Sequence, residues 1–239
     1  MIPFRATDGD KSHGKHAVQS AVLKRADLPK GNGNAPRGAV MKRRAAARKA
    51  AQKRRKRNVS MKKKLLIVVD YQNDFVSGSL GCPQAVAIED ALAAKIAAYR
   101  ALGEEGQIIF TMDTHEKNYL ETQEGQNLPI AHCIRNTDGW PLYGKIRALK
   151  QEEDLVFSKP TFGSLELADY LRNRGCEYES VELAGVVTNI CVISNMVITK
   201  AAMPEVPILI DAACVASNDD ALDEAALKVM ESMHVKVRR

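Results

Sequence analysis

The chain predicts an α/β fold, a parallel sheet with helices on both faces, and two observations carry that prediction. Short runs that are apolar throughout, such as Leu65-Leu66-Ile67-Val68-Val69, alternate with longer amphipathic stretches. Strands that are apolar on both faces belong to parallel sheets buried under helices. In addition, three of the runs end at or just before a reactive side chain: Asp70, Lys159 and Cys191. Open parallel sheets bind ligands beyond the carboxyl ends of their strands. An acid, a cation and a thiol placed there converge on one crevice, which suits a cysteine nucleophile served by a carboxylate base.

The elements follow in order. Strands are expected near 65–70, 107–112, 154–158, 180–185 and 206–211, and helices near 86–102, 143–150, 165–174, 190–202 and 219–232. Ile88, Leu92, Ile96 and Tyr99 recur at helical spacing, and Gly103 suits the turn that closes that helix. Asn218-Asp219-Asp220 offers a side-chain cap for the last helix. No internal repeat is present.

Residues 1–60 stand apart. They hold 17 lysines and arginines against 3 aspartates, a net charge of +14, whereas residues 61–239 sum to −8. The high isoelectric point therefore belongs to the first segment, and net charge does not mark the whole chain as a nucleic-acid binder. The run 41–57 has good helix formers but no apolar stripe to dock on a core, so residues 1–60 are expected to be a disordered basic extension. Two readings of it stand: a basic arm for nucleic acid or an acidic surface, or an upstream extension foreign to the natural protein. The second is preferred, because Met61-Lys62-Lys63-Lys64 directly before the first strand looks like a natural start. The folded domain is then 61–239.

Five cysteines, at 82, 133, 176, 191 and 214, are odd in number and form no framework spacing, which fits free thiols in a reducing compartment. No apolar run approaches the roughly 20 residues needed to span a bilayer. The N-terminus lacks the apolar centre of a signal peptide. A cytoplasmic protein without membrane attachment is expected.

Each reactive residue also has an ordinary explanation. Most cysteines are small buried hydrophobes. Cys191, however, follows Gly185-Val186-Val187-Thr188-Asn189-Ile190, where a strand breaks into a turn and then a helix. A thiol near a helix N-terminus is expected to have a lowered pKa, and turn amides there can meet an oxyanion. Asp70 alone could be a turn cap and Lys159 a solvated charge; the three together in one α/β pattern point to a site. A further cluster follows the second strand: Asp113, His115, Glu124 and His132. Mixed imidazole and carboxylate donors at such spacing suggest a divalent-metal site, although Asp113 and His115 could merely bond each other in a loop.

Several motifs in the same order identify a resemblance. Asp70-Tyr71-Gln72-Asn73-Asp74-Phe75, Asp113-Thr114-His115 with His132, Ser158-Lys159-Pro160, and Gly185-Val186-Val187-Thr188-Asn189-Ile190-Cys191-Val192 are similar to those of isochorismatase-like cysteine hydrolases, and among them nicotinamidases. The resemblance covers about 61–237. It implies a three-layer, doubly wound, mainly parallel six-stranded sheet with helices on both faces. It implies an Asp70–Lys159–Cys191 triad, a cis peptide between Val186 and Val187, and an oxyanion met by the amides of Val187 and Cys191. Asp113, His115 and His132 would hold a divalent metal (zinc, iron or manganese), with Glu124 as a fourth ligand, and Phe75 would lie against the substrate ring. Members commonly form homo-oligomers.

The implied reaction is hydrolysis of a small-molecule amide, nicotinamide foremost, to a carboxylate and ammonia through a thioester. Two features differ within the family. Leu128-Pro129-Ile130-Ala131 stands where nicotinamidases often carry an aromatic before the second metal histidine. Isochorismatases proper lack the nucleophilic cysteine that is present here as Cys191. The rivals are a sibling hydrolase acting on a carbamoyl or ureido compound, and a nucleic-acid-binding protein acting through residues 1–60.

Overall fold

Leu65 to Val69 have no exposed surface at all, because the strand that carries them runs through the middle of the molecule with a helical layer on each side. The structure is a computed structural model and describes residues 62–239. Expectations for residues 1–60, including the nucleic-acid arm, lie outside the described residues.

Six strands form one sheet: β1 (Lys63–Val69), β2 (Gly106–Asp113), β3 (Leu155–Lys159), β4 (Tyr178–Val186), β5 (Ile208–Ala216) and β6 (Lys236–Arg238). Their order is β3-β2-β1-β4-β5-β6, and every neighbouring pair is parallel. The sixth strand was not expected from local pattern. Its three residues, Lys236-Val237-Arg238, contain one apolar side chain, too little for a periodicity to register.

Alternation along β1 divides the core in two. Leu65, Ile67 and Val69 face α6 (Leu165–Arg172), α7 (Ile193–Ala202) and α8 (Asp220–Ser232). Leu66 and Val68 face the opposite layer. That layer contains α1 (Asn73–Val76), α2 (Pro83–Ala87), α3 (Glu89–Ala101) and α5 (Gly144–Leu149), and α4 (Gln123–Asn127) lies in the long β2–β3 connection. The result is the three-layer, doubly wound α/β architecture the sequence predicts. Burying two faces of one strand is the main apolar stabilisation of such a sheet.

The helix expected at 86–102 is divided. Pro83 opens a short first turn at the position where a missing N–H costs nothing, and α3 begins after Ile88. Ile88, Leu92, Ile96 and Tyr99 are buried as their spacing implies, and Gly103 follows α3 with φ +58. Asp219 caps α8, its side chain accepting from the amides of Ala221 and Leu222.

In this strand order the chain reverses direction between β1 and β4, so the crevice opens beyond their carboxyl ends. Asp70 leaves β1 there, and the segment leading to Cys191 leaves β4 beside it.

Candidate active site

Asp70 lies one residue past β1 with φ +45, in the left-handed region that aspartate tolerates better than most residues. Its amide donates to the Thr111 carbonyl of β2 at 3.2 Å, and Thr111 Oγ1 donates to Oδ1 at 2.7 Å. Its carboxyl group is therefore held from the next strand, completely buried.

Lys159 closes β3 and is 1% exposed. Its Nζ lies 2.6 Å from Asp70 Oδ2, 2.9 Å from the Thr161 carbonyl, 3.4 Å from Asp113 Oδ1 and 3.7 Å from Cys191 Sγ. One ammonium thus touches the acid, the thiol and a member of the metal cluster.

Cys191 sits inside a π-helical turn, Thr188–Val192, that precedes α7. The turn leaves β4 through Gly185, whose φ is +115, and the Val186–Val187 peptide is cis. A Cβ on Gly185 would lie 2.1 Å from the Val69 carbonyl oxygen, so only glycine lets β4 run this close to β1.

The electrostatics correct one expectation. Burial pushes the Cys191 thiol well above its ordinary pKa, and Lys159 only partly opposes this. The lowered pKa expected of a thiol near a helix N-terminus is not found, because desolvation of the buried sulfur outweighs the pull of the Lys159 ammonium. Burial also raises the Asp70 pKa, against the pull of Lys159. For Lys159, burial works against the charge, but Asp70, Cys191 and Asp113 outweigh it and hold the ammonium above its usual range. The resting arrangement is a protonated thiol beside a carboxylate of raised basicity and a permanent cation.

The second cluster adjoins the first. His115 Nε2 lies 3.0 Å from Asp113 Oδ2 and 3.6 Å from Glu124 Oε1, while His132 Nε2 lies 3.5 and 3.8 Å from the same two atoms. One ligand atom each from Asp113, His115 and His132 falls within 4.8 Å of the others. His132 Nδ1 donates to the Ile130 carbonyl at 2.8 Å, which directs Nε2 inward. Burial opposes ionisation of Asp113, yet His115 and His132 outweigh it and hold the carboxyl well below the usual range. Burial likewise opposes charge on His132, and Asp113 overrides it upward. A donor set of one carboxylate and two imidazoles with converging ligand atoms fits a divalent cation, and Glu124 lies at its edge, 3.6 Å from His115 and 3.8 Å from His132. The Phe75 ring is buried with its centroid 5.5 Å from that of His132.

Three supporting residues, Gln72, Asp74 and Thr111, have roles that residue spacing does not show. Gln72 brackets Asp113: its Oε1 accepts from the Asp113 amide at 2.7 Å, and its Nε2 donates to the Asp113 carbonyl at 2.9 Å. Asp74 Oδ2 accepts from the Cys133 amide at 2.7 Å and so fixes the chain next to His132. Thr111 holds Asp70. A polar residue inside an apolar strand, as Thr111 is, was the available signal.

Similarities to known proteins bear on this geometry. A family model described as the isochorismatase domain matches residues 64–239. A Bacillus subtilis protein described as an uncharacterized isochorismatase family protein, PncA, is 32% identical over 140 residues, which is 54% of this chain and 74% of that protein. The crystal structure of nicotinamidase/pyrazinamidase PncA from Bacillus subtilis superposes with a TM-score of 0.66 at 28% identity, covering 74% of this chain and 100% of that one. Pyrazinamidase of Pyrococcus horikoshii, in complex with zinc, gives a TM-score of 0.63 at 26% identity over 74% of this chain and 99% of its own.

Proposed function

The chain belongs to the isochorismatase family, and from that premise we propose that it hydrolyses nicotinamide to nicotinate and ammonia with Cys191 as nucleophile. A hydrolase acting on amide C–N bonds is the coarser statement, supported by the family match and the nicotinamidase relatives. The observation that carries the cysteine-nucleophile reading is one buried ammonium, Lys159, within 2.6 Å of a carboxylate and 3.7 Å of a thiol; nicotinamide as substrate is supported by the nicotinamidase relatives.

Asp70 accepts the thiol proton, an uphill transfer eased because burial raises its basicity and Lys159 stabilises the thiolate formed. Cys191 Sγ then attacks the amide carbon. The oxyanion falls to the backbone N–H groups of Val187 and Cys191, donors of a kind worth about 3–4 kcal/mol each. Asp70 returns its proton to the departing ammonia, and water cleaves the thioester. Asp113, His115, His132 and Glu124 would hold a divalent cation, which would supply a Lewis-acidic anchor for a pyridine nitrogen. Phe75 offers an apolar ring beside it. Zinc is one candidate, as the Pyrococcus relative holds it. Homo-oligomeric assembly and a cytoplasmic location belong to the proposal as well; among the described residues no helix is long and apolar enough to cross a membrane.

A second reading has one observation in its favour. The segment before His132 presents Ile130, 41% exposed, and no aromatic side chain. An aliphatic wall there suits a small amide without an aromatic ring, such as a carbamoyl or ureido compound.

Ammonia release from nicotinamide and from a panel of such amides, before and after chelation, separates the readings. Nicotinamide preferred, with activity lost to the chelator and restored by zinc, supports the first. Cys191→Ala should lower kcat/KM by about 10³-fold or more while the fold persists. Ammonia release retained by that variant would defeat the mechanism.

A further inference from the structure

Asn195 lies one turn beyond Cys191 on α7 and is completely buried. Its amide joins two pieces of backbone. Nδ2 donates to the Cys191 carbonyl at 2.8 Å and to the Phe162 carbonyl at 3.0 Å, and Oδ1 accepts from the Ser164 amide at 3.1 Å. Phe162 and Ser164 belong to the segment between β3 and α6. That segment includes Thr161, whose carbonyl accepts from Lys159 Nζ at 2.9 Å.

Apolar burial does little to fasten that segment, since its one large apolar side chain, Phe162, is 45% exposed. It nevertheless lies tight against α7: a Cβ on Gly163 would meet Ile198 Cδ1 at 2.4 Å. Asparagine is a poor choice for a helix interior, and a buried amide is costly unless its bonds are made. Here it makes three.

We infer that Asn195 is a positioning residue that sets the spacing of Lys159 and Cys191 by fastening the 161–164 segment to the π-helical turn. The inference rests on the cysteine-hydrolase reading above. Without the amide, the Thr161 carbonyl drifts, the ammonium loses an anchor, and the thiolate forms farther from its counter-charge. Substrate contacts are left in place, so turnover should suffer more than binding.

The test uses the full chain and compares Asn195→Leu, Asn195→Ser and Ser164→Ala with the parent. Leucine keeps the volume and removes all three bonds. Serine can bond back to the Cys191 carbonyl one turn away but cannot reach the 161–164 segment. Ser164→Ala keeps the backbone amide and removes only the Oγ that accepts from the Leu167 amide, so it controls for general loosening. Both Asn195 variants should lower kcat for ammonia release by about 10–100-fold with KM within about threefold, a loss typical of a small misplacement. Alkylation of Cys191 by iodoacetamide, read by mass spectrometry, should slow in both, while Ser164→Ala lowers Tm and keeps kcat within about twofold. A kcat within twofold for Asn195→Leu, or restored turnover and alkylation in Asn195→Ser, overturns the inference. If leucine prevents folding, the serine variant decides. If the parent releases ammonia from no amide, the hydrolase reading fails, and the alkylation rates still judge Asn195.

Discussion

Lys159 holds a full positive charge at 1% exposure, tolerable only because Asp70, Asp113 and a peptide carbonyl surround it. Removing one partner of such a group costs more than the pair contributes, because the other charge is left buried and unpaired. Lys159→Met should therefore destabilise the protein by about 3–5 kcal/mol, since two buried carboxyl groups lose their shared cation. Asp70→Asn keeps the shape and leaves the ammonium beside Asp113 and the Thr161 carbonyl, so its stability cost should be less than half as large. Both variants should lose about 10³-fold or more in kcat/KM, one through the thiolate's counter-charge and the other through the base. Urea denaturation alongside ammonia release measures the two effects separately. A Lys159→Met protein as stable as the parent would mean that the ion pair is not formed in solution.

At the scale of elements, the site depends on how closely β4 and β1 run at their carboxyl ends. Gly185 stands opposite Val69 in the register, with φ +115 and its Cα facing the Val69 backbone. Gly185→Ala combines a left-handed backbone penalty with a backbone collision, and should cost about 2–4 kcal/mol. It should also lower kcat, because the strand ends that carry Asp70 and the π-helical turn are forced apart. Thermal denaturation and steady-state rates measure the two costs; unchanged values in both would show that the strands need no glycine there. The sequence conveyed such elements unevenly. Buried apolar runs announced five strands, and spaced side chains announced the long helices, because burial selects those patterns directly. The single-turn α1, the short α4 and three-residue β6 carry too few residues for any period to show. In the sequence the π-helical turn around Cys191 is indistinguishable from the start of an ordinary helix, since about one extra backbone residue per turn leaves the composition unchanged.

Across the whole molecule, chemistry and stability occupy different parts of the sheet. The reactive residues were legible because each is a polar side chain in an apolar setting, whereas Gln72, Asp74 and Asn195 act through backbone bonds that no residue spacing reveals. A second charged group lies away from the strand ends. Lys95 of α3 reaches Glu182 of β4 at 2.8 Å and Asp211 of β5 at 2.5 Å, and the Tyr99 hydroxyl donates to Glu182 at 2.9 Å. This cluster fastens the α3 layer to the sheet. Burial opposes the charge on Asp211, but the hydrogen bond from Lys95 outweighs it and lowers the carboxyl pKa. For Lys95, burial again opposes the charge, and Asp211 and Glu182 raise its pKa. The sign follows from each direction. Asp211, depressed on folding, contributes stability above its unfolded pKa of about 3.9 and loses it as pH falls through the lower folded value. Lys95, raised on folding, contributes below its unfolded pKa of about 10.4 and loses that contribution as pH rises through the higher folded value. The cluster therefore stabilises across the neutral range and fails at both extremes. Lys95→Met should cost about 1–3 kcal/mol at neutral pH by removing the cation that Glu182 and Asp211 share, with only the Tyr99 hydroxyl left on Glu182. That deficit against the parent should shrink as pH falls from about 4, the unfolded value, through the lower folded value of Asp211, where the parent loses the same interaction. Ammonia release per folded molecule should stay at the parental rate, since none of these side chains reaches the crevice. A deficit independent of pH from 3 to 7 would show that Lys95 stabilises by packing its aliphatic stem and not by its charge.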